Sequence, residues 1–298
     1  MMAAVKVVRV RSRGVLRPEG DVHPAIVQRM YERGIQLVTG QSSAAAGLSS
    51  LFRPSDRVGI KINTIAGRRL TTPPDVALPF SRLLAQSGLS EKNIVIWDRT
   101  NDELKEAGFK LHAGSGLRIF GTDAAGAGYT SEPLIHLNIG SLFSTIQSDF
   151  VTASVSLAVL KDHGLAGITA GMKNYFGAIH NPNKYHDSNC NPYVAELFDM
   201  PVIKTKHRLT ILDALVVQYH RGPSYHARWA ERYESLIFSL DPVAADFIGW
   251  QIVERLRKAQ GLPSLAEDNR EPLYIQTASR MGLGRATLND IQLIEEDV

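Results

Sequence analysis

The sequence predicts an α/β fold, a mixed and largely parallel sheet with helices on both faces. Two observations carry that reading. Short β-branched runs alternate with segments of helical apolar spacing. The longest apolar run, DFVTASVSLAVLK at 149–161, is rich in Val and reads as a central strand buried on both faces.

In chain order, VKVVRVR (5–11) is a strand, and residues 23–39 carry apolar side chains at helical spacing up to Gly40. RVGIKIN (57–63) and NIVIWD (93–98) are strands joined by the helix PDVALPFSRLLAQSG, which has a proline near its start. Strand, helix, strand at that spacing makes a parallel crossover unit. It puts Asn63 and Asp98 at the carboxyl edge of the sheet, where ligands bind in open α/β folds. Strand-end and capping chemistry accounts for these two residues equally well. Residues 121–140 are rich in Gly and Ala and read as loop, and GITAGMKNYFGA (167–178) reads as a short helix. HRLTILDALVV (207–217) is a strand, DPVAADFIGWQIVERLRKAQG (241–261) a long amphipathic helix from Asp241 to Gly261, and IQLIEE (291–296) the last strand. With no repeat, low-complexity tract or linker, a single domain over 1–298 is expected.

Composition narrows the function classes. Charged residues make up 21% and the net charge is only +3, with both signs interspersed, so the basic stripe of a nucleic-acid binder is missing. No run reaches the roughly 20 apolar residues of a membrane-spanning helix. The start, MMAAVKVVRVRSRGV, has no apolar region behind its basic residues. A cytoplasmic location is therefore expected for the chain as given, and a periplasmic one if an export signal was trimmed. A single cysteine, Cys190, excludes an internal disulfide and an iron–sulfur cluster held by this chain alone. No dinucleotide-binding GxGxxG, Walker A loop or GxSxG elbow occurs in its proper setting.

What remains is one dense stretch, KDHGLAGITAGMKNYFGAIHNPNKYHDSNC at 161–190. It carries three lysines (Lys161, Lys173, Lys184) and three histidines (His163, His180, His186). A buried strand ending in Lys-Asp-His delivers charge to the sheet edge, where burial shifts pKa values toward a catalytic range. Three readings compete. His163, His180 and His186, with Asp162 or Asp187, would bind a metal ion of unspecified identity. Lys161, Lys173 and Asn174, with backbone N–H groups, would hold a carboxylate or phosphate. Or the residues only cap and solubilise a loop, which explains any one histidine but not six basic side chains in this spacing.

Elsewhere, Lys61 falls within a buried strand and needs either a carboxylate partner such as Asp98 or a polar cavity. Asp213, ending LTIL, is a second candidate for the site edge. Asp241 reads as an N-cap, Asp246 need not share its face, and Cys190 has no catalytic partner in evidence.

The stretches DRVGIKIN (56–63), Lys-x-His followed by GxTxxxKNxxG (161–177), LTILDA (209–214), SLDPVAAD (239–246) and MGLG (281–284) together resemble the domain of unknown function 362 family. Lys161, His163, Thr169, Lys173, Asn174 and Gly177 fall where that family's pattern has them, and His186 matches a later histidine. Asp162 departs from the small polar residue more usual there. The resemblance implies relatives with added iron–sulfur segments or twin-arginine export signals, and no established activity. A weaker similarity, a histidine ten residues before a lysine, is to the nickel-pincer lactate racemases.

The expectation is an enzyme acting on a small anionic molecule through a metal or a Lys/His acid–base pair. His163, Lys173 and Lys161 would be catalytic, and Lys61, Asn63, Asn174, Asp98 and Asp213 would bind substrate. The alternatives are a lactate-racemase-like isomerase, and a non-catalytic metal- or anion-binding protein or accessory to a redox partner protein.

Overall fold

The computed structural model of the chain describes residues 4–65 and 67–298. Strand β1 (Val5–Arg11) leads to α1 (Pro24–Thr39) and α2 (Ala44–Leu51). Next come β2 (Val58–Lys61), α3 (Pro74–Gln86), β3 (Ile94–Trp97), α4 (Asn101–Glu106) and β4 (Arg118–Ile119). A two-stranded hairpin, β5 (Leu134–His136) and β6 (Ile139–Ser141), precedes the long β7 (Ala153–His163) and the short β8 (Gly167–Thr169). The remainder is α5 (Tyr193–Asp199), α6 (Pro201–Lys204), β9 (His207–Gln218), β10 (Ala230–Ser239), α7 (Pro242–Ala259), α8 (Tyr274–Arg280) and β11 (Ile291–Asp297).

Among the described residues nine strands form one sheet, ordered β11-β1-β10-β9-β7-β2-β3-β4 with β8 beside β7. β2, β3, β4, β7 and β9 run parallel, and β10 turns the order antiparallel between β9 and β1. The sheet is thus mixed and mostly parallel, and β2–α3–β3 is the parallel crossover read from the sequence.

Helices cover both faces because the central strands are apolar on both. In β7, Val155 and Leu157 face one core with α1, α2 and α3, while Ala158 and Leu160 face the other with α5, α7 and α8. That is period-two alternation with two buried sides. α1 buries Val27, Met30, Tyr31, Ile35 and Val38 at helical spacing and ends where Gly40 takes the left-handed conformation, φ 70°. Asp241 caps α7 by accepting from the Ala244 N–H at 2.8 Å. It also accepts from the Arg285 N–H, which makes it a structural residue and not a partner to Asp246.

Three expectations are corrected. Residues 167–169 are not helical: they fold back as β8, antiparallel to the last three residues of β7. That reversal needs Gly167 at φ +76°, where an added Cβ would stand 2.3 Å from the Arg270 carbonyl. The helical turn begins later and is a 3₁₀ segment, Lys173–Ala178. Asp213 does not end its strand, because β9 continues to Gln218 and Asp213 lies beside Val159 in mid-sheet. The loop read over 121–140 contains β5 and the start of β6. β10 had escaped notice because it begins with polar residues and is broken by a bulge between Arg232 and Ser235, with Glu234 at φ 56°.

No helix among the described residues is long and apolar enough to cross a membrane.

Candidate functional site

The parallel strands β2, β3 and β7 end together, and their carboxyl edge opens on a cavity of about 260 Å³. The size suits a small molecule. Its floor comes from residues just past β2 and β3, its wall from the end of β7, and its roof from the 3₁₀ segment and the loop carrying His186.

The floor is a neutralised charge pair. Lys61, fully buried, donates to Asp98 Oδ1 at 2.5 Å, to the Ile62 carbonyl at 2.7 Å and to Asn174 Oδ1 at 3.3 Å. Asp98 also accepts from the Thr64 N–H and hydroxyl and from the Arg99 N–H. Each ion is saturated, which is the condition for burying a pair in the low-dielectric interior. Asn174 is a brace, not an anion donor: its amide nitrogen donates to the Lys61 carbonyl and to Ser156 Oγ. Gly177 packs over this pair so closely that a Cβ there would lie 2.6 Å from Lys61 Nζ and 2.9 Å from Asp98 Oδ1. Gly177→Ala is therefore expected to lower stability by about 1–3 kcal/mol through overpacking, read as a drop in the urea midpoint.

On the wall, alternation along β7 sorts the Lys-Asp-His end. Lys161 and His163 face the α1–α4 side of the strand's edge and Asp162 the opposite side. Asp162 is fully buried and bonds Arg270 at 2.9 Å and the Gly222 N–H at 2.7 Å, with Arg257 at 3.7 Å. It belongs to a structural network with Asp268 and not to a ligand set. Lys161 is wholly buried, does not line the cavity, and among the described residues donates to the Leu70 carbonyl alone, at 3.2 Å. Burial drives its pKa down to about 7.

His163 Nδ1 accepts from the backbone N–H groups of Leu165 and Ala166, at 3.2 and 3.1 Å. With Nδ1 fixed as acceptor, the neutral ring carries its proton on Nε2. Burial first, then Lys173, His186, Lys161 and Arg270, push its pKa down to about 2. His163 is thus held as a neutral N–H donor, with Nε2–H turned away from the two backbone amides. Its ring stacks on His186 with centroids 5.5 Å apart.

The roof supplies Lys173 and His186. Lys173 is 7% exposed, and its Nζ lies 3.3 Å from His186 Nε2 and 4.2 Å from the centroid of the Phe176 ring. No carboxylate forms an ion pair with it among the described residues. His186 Nδ1 donates to the Pro182 carbonyl at 3.0 Å, so Nε2 presents its lone pair to Lys173. Desolvation lowers the pKa of both, that of Lys173 to about 8.

His180 leaves this group. It is exposed, sets its ring edge-on against Tyr129, and lends its carbonyl to Arg99. Asp187 is exposed as well. Among the described residues no group of three or more His, Cys, Asp or Glu side chains is placed to hold a metal ion. The proposed histidine triad is therefore not assembled.

Asp213 lines a different, smaller pocket with Arg68, Arg69 and Thr71. Burial raises its pKa to about 7. Asn63 does line the main cavity, and its Oδ1 is buried with no hydrogen-bond partner among the described residues. Arg99, Glu103, Phe176 and Asn183 also line it and were not read from the sequence. Arg99 was within reach, because it follows Asp98 at the same sheet edge. Glu103 sits in the first turn of α4, where Thr100 Oγ1 accepts its N–H in a T-x-x-E capping pattern.

No curated protein matches the chain. A crystal structure of a protein from Thermotoga maritima is similar over 81% of this chain and 60% of its own, at 10% identity and a TM-score of 0.42. The chain thus spans about three-fifths of that protein's length. The model of the family described as domain of unknown function (DUF362) matches residues 58–251, from the start of β2 into α7, a span that holds the site-forming Lys-x-His and GxTxxxKNxxG stretches. On that match the chain belongs to the DUF362 family.

Proposed function

We propose that this protein is an enzyme acting on a small anionic substrate through a lysine/histidine proton-transfer pair, Lys173 and His186, at the carboxyl edge of the sheet. The observation that carries the reading is the isolation of Lys173. A buried ammonium normally finds a carboxylate; this one faces a cavity with a histidine lone pair and an aromatic face beside it, and no carboxylate among the described residues pairs with it.

The charge balance around the cavity favours an anion. Lys61 and Asp98 cancel, and of the other charged groups lining the space Arg99 and Lys173 outnumber Glu103, whose pKa is raised chiefly by burial. His163 adds a fixed N–H donor for a developing negative charge, acting without a change in its own protonation. A lysine near pKa 8 lies close to neutral pH, the condition for general acid–base catalysis there, and the His186 lone pair is within reach of its proton.

Titration calorimetry with oxalate tests this. The groups facing Lys173 are His163, Lys161, His186 and Cys190; near pH 6 His163 is neutral and Lys161 charged, while burial lowers the pKa of His186 and raises that of Cys190. Oxalate is expected to bind at about pH 6, where Lys173 is charged, and at least about tenfold more weakly at about pH 10 or in Lys173→Gln. Equal affinity in Lys173→Gln, or no binding at either pH, would remove the reading.

A further inference from the structure

The same pair is arranged for covalent chemistry. We infer that Lys173 forms an imine with a carbonyl-bearing anion of the 2-oxo acid class, His186 serving as the proton carrier and His163 as the donor to the carbonyl oxygen. The inference rests on the anion-site reading above and goes beyond it, because proton transfer alone would not need a primary amine stripped of every anionic partner.

The geometry supplies each requirement. A nucleophilic amine must shed one proton before attack and another after it. His186 Nε2, its lone pair directed at Lys173 Nζ from 3.3 Å by the Nδ1–H bond to Pro182, is the acceptor. The Phe176 face and the apolar side of the roof keep water from stabilising the ammonium. A 2-oxo acid has a carboxylate for Arg99 and a carbonyl oxygen for the Nε2–H of His163, whose tautomer the Leu165 and Ala166 amides fix.

The balance is as follows. Lys173 as the free amine attacks the carbonyl carbon; the C–N bond forms and the π pair moves to oxygen. His186 takes one proton from nitrogen and returns it to that oxygen, leaving a carbinolamine. A second proton, from solvent, lets the hydroxyl depart as water while the nitrogen lone pair closes the C=N bond. The product is a protonated imine that retains one N–H.

Incubating the wild-type protein with glyoxylate and sodium cyanoborohydride, then mapping peptides by mass spectrometry, tests the proposal without relying on any variant to fold. The expected result is one carboxymethyl adduct, on Lys173, at glyoxylate levels that leave exposed Lys184 and Lys204 unmodified. His186→Gln should slow adduct formation at least about tenfold. Adducts confined to exposed lysines, with Lys173 unmodified, would overturn the imine. Oxalate has no electrophilic ketone or aldehyde and reports the anion site alone. Lys173-dependent oxalate binding without a Lys173 adduct would refute the imine and leave the anion site standing; loss of both would refute both.

Discussion

Asp98→Ala is expected to cost about 3–5 kcal/mol of stability, the largest effect of any single substitution at the site. It would strand the Lys61 ammonium, which is fully buried and has Asp98 as its one anionic partner. It would also strand the Thr64 N–H and hydroxyl, both of which end on Asp98 Oδ2. The double variant Asp98→Ala, Lys61→Met should recover much of the loss, because the cost lies in the uncompensated charge and not in the missing contact. Urea denaturation of the two variants separates these contributions. A single variant within about 1 kcal/mol of wild type would mean that Lys61 reaches water or sheds its proton at small cost.

The second large effect has the opposite sign. Lys161→Met is expected to stabilise the protein at pH 6. In the fold the lysine falls from 10.5 to about 7, equivalent to roughly 5 kcal/mol of disfavoured charge. Stranding the Leu70 carbonyl returns about 1 kcal/mol, leaving a gain of about 3–4 kcal/mol. The pH dependence fixes the sign. Between about pH 7 and 10.5 the unfolded chain binds a proton that the folded one does not, so wild-type stability rises with pH through that window. The advantage of Lys161→Met should therefore be full below about pH 7, shrink through the window and turn into a deficit of about 1 kcal/mol above it, where the neutral lysine still donates to Leu70. A variant less stable than wild type at pH 6 would show that the ammonium is held by an anion in the folded protein.

These two lysines show why the fold tolerates an awkward sheet edge. Lys61 is buried and saturated on the floor of the cavity that Lys173 faces, while Lys161 is buried and bonded to the Leu70 carbonyl. Removing strain from such a position tends to gain stability at the expense of function, and Lys161→Met offers a way to measure that exchange once a turnover assay exists.

Much of this was legible in the sequence for local reasons. The strand–helix–strand unit, the two-sided burial of β7 and the Asp241 cap follow from period and propensity, which depend on near neighbours. The need of Lys61 for a partner such as Asp98 followed from the cost of a lone buried charge. Other features depend on where irregular backbone travels. The 164–190 segment has no period to read, so its sequence did not reveal that β8 would double back at Gly167. Nor did it reveal that His186 would return to Lys173 while His180 turned outward to Tyr129. Asp213 was misplaced because a strand end was inferred where β9 runs on to Gln218.

The sequence by itself determined the α/β class, the parallel crossover unit, the two-sided burial of β7 and the family, because burial patterns and spacing are written in the order of residues. Only the tertiary structure decided what each basic side chain does. A pKa, a tautomer and a pairing depend on which groups lie within a few ångströms, and those neighbours come from segments far apart in the chain.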